Sequence, residues 1–235
     1  MTLRQRTITT AVFAFATFVS AFLLFQVQPL LAKSILPWFG GTPAVWTTCM
    51  LVFQVLLFAG YAYAHGTATW LSPRMQCGLH VSLLIVALAV LPVLPDAAWK
   101  PAGDETPVLR IVGLLLATVG LPYFLLSATG PLLQVWYRRA TGGAVPYRLY
   151  ALSNVGSLLA LISYPFVIEP AWSTSMQALV WSGGFFLFVV LCSAAGWFAS
   201  VPELVTAAAE LPGSVSAPSQ PLPVCLLYTS PSPRD

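Results

Sequence analysis

SAFLLFQVQPLLAKSILPWFGGTPAVWTTC, Ser20 through Cys49, is the stretch on which the fold turns. Its first half closes an apolar run that begins near Ile8, and it carries Gln26, Gln28 and Lys33 into that run or to its edge. In hydrocarbon, a lysine at a helix centre costs roughly 2.5–3.5 kcal/mol on insertion scales. Lys33 is therefore expected at the boundary, snorkelling, or against protein. Pro29 and Pro37 bracket it. A proline inside a span removes an N–H and frees a backbone carbonyl, which must find a partner in neighbouring helices, side chains or water. The run reads as a membrane span that leans on a bundle.

Composition agrees. Of the 235 residues, 58% are hydrophobic and only 7% charged, with a mean hydropathy of +0.83; a soluble domain carries about a quarter charged residues. The chain is expected to be a multi-pass membrane protein whose main partner is the lipid bilayer. A net charge of +3 with no basic stripe excludes a nucleic-acid partner and leaves the basic residues to membrane topology. Cys49, Cys77, Cys192 and Cys225 are widely spaced with no C-x-x-C, so neither a disulfide framework nor a zinc site is expected. The N-terminal Met-Thr-Leu-Arg-Gln-Arg precedes a run too long for a cleaved signal, so a retained first span is expected.

A helix needs about 20 apolar residues to cross the bilayer core. Six stretches qualify, at residues 8–32, 44–64, 77–94, 108–129, 147–168 and 177–199, and they predict an all-α transmembrane bundle. Gly120, Pro122, Gly130 and Pro131 are expected to kink and then break the fourth, leaving 132–139 as a short interfacial helix. With the N-terminus inside, the inner segments hold Arg4, Arg6, Arg74, Arg138, Arg139 and Arg148, and the outer ones Lys33, Lys100 and Arg110. Six against three favours this orientation, which places both termini in the cytoplasm. Trp38, Trp46, Trp70, Trp99, Trp136 and Trp172 fall near proposed span ends, where an indole suits the headgroup region.

The proline-bearing stretch 95–107 is expected to be an irregular outer loop. Residues 201–224 read as a cytoplasmic Pro/Ser/Ala-rich linker whose first residues, 201–211, suit a short amphipathic helix. Residues 225–235 share no character with what precedes them. They resemble a translated sequencing-adapter read-through, and they are expected to be a non-native tail without function.

The candidate site residues are polar groups inside spans. Tyr147, Tyr150, Asn154 and Ser157 share a helical face that Tyr164 continues, and Gln26, Pro29 and Lys33 share another, as do Gln54 and Tyr61. Gln26, Gln28, Lys33, Gln54, Tyr150, Asn154 and Ser157 thus form a candidate intramembrane cluster, which at mid-membrane would bind a polar solute. The plainer alternative is interhelical hydrogen bonding, worth about 0.6 kcal/mol per contact. Gly156 with Ala160, and Gly113 with Ala117, are small pairs that permit close helix contact. His65 and His80 lack further ligands at metal-binding spacing, so no metal site is expected. There is no G-x-G-x-x-G, Walker A or G-x-S-x-G motif, so this chain is expected to catalyse nothing and to bind no cofactor.

The stretches 22–33, 36–46, 60–65 and 150–170 resemble a family of bacterial membrane proteins described as fused transporter-like and spermidine-synthase-like proteins. The resemblance covers about residues 10–200. It implies one half of a major-facilitator-type bundle in the inner membrane, followed in the relatives by a soluble domain similar to aminopropyltransferases. That domain would bind decarboxylated S-adenosylmethionine and a polyamine; its glycine-rich loop and acidic site match no position here. The expectation is a membrane-embedded N-terminal domain, truncated before its transferase domain, that anchors the enzyme and binds a small solute or polyamine. Its partners would be the missing C-terminal domain or a second copy in a homo-oligomer. The alternatives are a half-transporter for a small solute and a purely structural partner subunit.

Overall fold

The computed structural model describes residues 3–101, 107–142 and 147–209, with side chains for 4–101, 107–142 and 147–200. The described residues form helices and no strand. Six helices are long and apolar enough to cross a membrane, and the chain is a polytopic membrane protein of all-α class. They are α1 (Leu3–Phe39), α2 (Pro43–Trp70), α3 (Pro73–Ala87), α4 (Pro107–Ala140), α5 (Tyr147–Ala171) and α6 (Thr174–Ala209).

Local chemistry sets the helix starts. Thr42 and Ser72 cap α2 and α3 by accepting from the backbone N–H of Val45 and Met75, and each is followed by a proline at the first helical position. Gly40, at φ +82°, makes the turn between α1 and α2 in a left-handed conformation that only glycine adopts freely. Most helices overrun the expected spans. At about 1.5 Å per residue, the 37 residues of α1 exceed the ~30 Å hydrocarbon thickness, so its ends reach the headgroups or beyond.

Of the two interruptions expected in the fourth span, one forms. α4 runs unbroken through Gly130 and Pro131 to Ala140, so no separate interfacial helix forms at 132–139. The expected irregularity at Gly120 and Pro122 is a π-helical turn at Leu116–Gly120, just before Pro122, whose ring would collide with the carbonyl four residues back in a regular α-helix. A second π turn, Tyr164–Ile168, contains Pro165 and answers the same collision in α5. At the C-terminal end the linker expected from residue 201 is preceded by more helix, since α6 continues to Ala209. The rest of the linker and the tail lie outside the described residues.

α1 packs on α5 and α6, α4 packs on α2, α1 and α6, and α3 packs on α6 and α4. α1 and α4 form the trunk. In its most apolar window α4 is 67% buried, against 22% for α3 and for α5.

Glycines set the closest approaches. A Cβ on Gly60 of α2 would strike the Ser127 side chain and lie 2.8 Å from the Phe124 carbonyl of α4. One on Gly156 of α5 would lie 2.8 Å from the Phe18 carbonyl of α1. The contact expected of Gly156 and Ala160 is therefore formed, both residues being buried. Gly113 instead lies under the indole of Trp99, and Ala117 is exposed.

Charge sorts by end. Phe13 meets Tyr137 edge-on and Gln76 bonds Arg139, so the start of α1, the α2–α3 turn and the end of α4 share one end with the arginines. At the other end Lys33 pairs with Glu169 at 3.3 Å, Lys100 lies over the Trp38 ring, and Arg110 donates to the carbonyls of Ala98 and Trp99. The loop between α3 and α4 is thus held down where it is described, and its Ala97–Trp99 turn is capped by Asp96.

Gly60→Leu and Gly156→Leu should each force a helix pair apart and cost about 1–3 kcal/mol. Thermal unfolding in mild detergent should show both variants melting well below wild type. Gly183→Leu, where the added side chain meets open space, should melt with wild type.

Candidate functional site

Between α1, α2, α4 and α5 lies an open cavity of about 290 Å³. Its polar lining comes from all four helices: Ser20 of α1, Tyr61 of α2, Ser127 of α4, and Ser153, Asn154 and Ser157 of α5. Three of the hydroxyl protons are already committed. Ser20 donates to the Thr17 carbonyl at 3.0 Å, Ser127 to Phe124 at 2.7 Å and Ser157 to Ser153 at 3.0 Å. What these serines offer the cavity is oxygen lone pairs.

The prolines add to this bias. Pro29 removes the N–H that would bond the carbonyl of Phe25, and Pro131 does the same for the carbonyl of Ser127. Phe25 and Ser127 both line the cavity, and the two prolines sit inside the two trunk helices. No lining residue is charged. The cavity is a neutral surface rich in hydrogen-bond acceptors, set in a medium with no water to satisfy them.

The seven candidate residues do not form one cluster. Asn154 and Ser157 line the cavity. Gln28 donates to the Tyr123 hydroxyl at 2.9 Å and ties α1 to α4. Lys33 is taken up by Glu169, at the end opposite the arginine-rich one, and Gln26 faces a separate small pocket against α5 and α6. Gln54 and Tyr150 are exposed on the outer faces of α2 and α5. Tyr61, two turns on from Gln54, reaches the cavity instead. Tyr164, on the side of the buried Ala160, is 5% exposed and lines the small pocket with Gln26 rather than the cavity.

The most polar buried cluster was not among the candidates. Gln76 of α3 is fully buried, and its Oε1 accepts from Trp136 Nε1 at 3.1 Å and from Arg139 Nη1 at 2.9 Å. Its amide nitrogen lies 3.5 Å from the Thr67 hydroxyl of α2. One turn along, His80 is also fully buried, with Nε2 3.0 Å from the Thr129 hydroxyl. Thr129 donates to the Leu125 carbonyl at 2.6 Å, so it accepts from His80, which places the imidazole proton on Nε2. This clasp joins α2, α3 and α4 at the arginine end. It moves Trp136 from the expected headgroup region into the core, where it is 1% exposed against the bare backbone of Gly196. The sequence signal was the i, i+4 spacing of Gln76 and His80 on a short span.

Among the described residues no group of histidine, cysteine, aspartate and glutamate could hold a metal ion. Comparison of the chain with protein-family models, with curated proteins and with solved structures gives no match.

Gln76→Leu removes the common acceptor of the buried Trp136 indole and the half-buried Arg139 guanidinium, and stranding the buried donor costs about 1–3 kcal/mol. The variant should unfold at clearly lower temperature than wild type. Gln54→Leu, on an exposed face, should shift stability by no more than about 0.5 kcal/mol.

Proposed function

We propose that this chain is a membrane-embedded domain that binds a small, donor-rich solute, a protonated amine such as a polyamine, in the cavity between α1, α2, α4 and α5. The observation that carries the reading is the acceptor bias of that cavity. Hydroxyl lone pairs of Ser20, Ser127 and Ser157 and the proline-freed carbonyls of Phe25 and Ser127 gather there, with the Asn154 amide and the Tyr61 ring beside them. An ammonium has three donors and no acceptor, and an aromatic face attracts it further. The absence of carboxylates in the lining favours reversible over tight binding.

The resemblance of residues 22–33 and 150–170 to spermidine-synthase-like membrane proteins supports the same solute class. In that setting the bundle would also anchor the amine-forming domain. A second reading is a half-transporter, in which a solute binds near mid-membrane; exposed Gln54 and Tyr150 lie on faces of α2 and α5 that a second six-span unit would shield from lipid. The arginine-rich end faces the cytoplasm in this proposal, in the inner membrane of a bacterium.

Binding of labelled spermidine to protein reconstituted in lipid vesicles tests the proposal. Wild type should bind it saturably and in preference to labelled glutamate. Asn154→Leu should weaken binding about tenfold, the cost of one lost hydrogen bond to a charged group, and Gln54→Leu should not. A domain that only anchors would bind no more than empty vesicles do. For orientation, single cysteines at Met75 and Gly41 in a cysteine-free background should react with impermeant reagents from opposite sides, Met75 from the cytoplasmic one. Labelling of both from the same side contradicts the six-span arrangement.

A further inference from the structure

A second, smaller and partly enclosed pocket lies near the outer end, between α1, α5 and α6, and is lined by Gln26, Tyr164, Gln177, Trp172 and Trp181. Two of its polar atoms have no protein partner. Tyr164 Oη and Gln177 Oε1 are buried, in residues 5% and 4% exposed, and neither makes a hydrogen bond. The amide of Gln177 is oriented by its nitrogen, which donates to the Trp172 carbonyl at 2.8 Å, so the bare atom is the oxygen. The Trp181 indole N–H is committed, being taken by the Leu23 carbonyl at 3.0 Å.

Two buried oxygens left bare beside a void call for a guest that donates to one and exchanges with the other. The void measures about 10 Å³, close to the lower limit of about 10–15 Å³ for one water. We propose that the pocket binds a single water molecule, which donates to Gln177 Oε1 and bonds the Tyr164 hydroxyl, with the Gln26 amide at the mouth as its third partner. A monovalent cation fits less well. No carboxylate lines the pocket, and the adjoining Glu169 is already neutralised by Lys33. The water would tie α5 and α6 to α1 where the π turn of α5 leaves no direct side-chain bond between Tyr164 and Gln177.

The sign of one substitution separates a wet pocket from a dry one. Tyr164→Phe should lower the melting temperature of the detergent-solubilised protein by about 2–4 °C if the hydroxyl holds a water. An unchanged or raised melting temperature overturns the proposal, because deleting a truly unpaired buried hydroxyl is neutral or stabilising. Wild type should melt at the same temperature in sodium and potassium chloride of equal ionic strength; a rise specific to one cation assigns the pocket to an ion instead. If Tyr164→Phe does not fold, a high-resolution map of wild type decides. Density within hydrogen-bond distance of both Tyr164 Oη and Gln177 Oε1 is expected, and an empty pocket overturns the proposal.

Discussion

Lipid offers no hydrogen bonds, and this constraint explains where almost every polar side chain of the bundle sits. Hydroxyls on the helices turn back to carbonyls three or four residues earlier, as Thr48, Thr67, Ser182 and Ser193 do. Groups too long for that trick find partners on another helix: Gln28 with Tyr123, Gln76 with Trp136 and Arg139, Trp181 with the Leu23 carbonyl. Each such bond contributes little on its own. Together they specify which helix lies beside which, something apolar packing between equally greasy surfaces does poorly.

The same constraint accounts for the cavity. Prolines inside α1 and α4 free carbonyls at Phe25 and Ser127, and irregular hydrogen bonding at membrane depth is tolerated only against protein or a polar space. Gly60 and Gly156 draw α2 and α5 tightly onto the trunk on either side. Close packing at the flanks and unsatisfied acceptors between them are two results of one arrangement.

Much of this was legible in the residues. Span number follows from length and apolarity, and the separation of arginines from the mixed-charge end follows from their positions between spans. Gly156 and Ala160 announce a close contact. Helical periodicity, however, states which residues share a face and not what that face meets. It therefore put Gln26 and Lys33 on one face, while the structure sends them to a small pocket and to Glu169. Trp136 near a span end looked interfacial because position along the chain says nothing about an acceptor on another helix. Gln76 supplies that acceptor from 60 residues away.

The order of partners along the chain shapes how the bundle is made. α1 emerges first, yet its main neighbours are α5 and α6, the last to be synthesised. The Leu23 carbonyl meets Trp181 only after 158 further residues, about 8–30 s at ribosomal speed. For that interval Gln26 and Lys33 must be sheltered by something other than their final contacts, and the insertion machinery or transient lipid-headgroup pairing has to hold the newborn helix until its distant companions arrive.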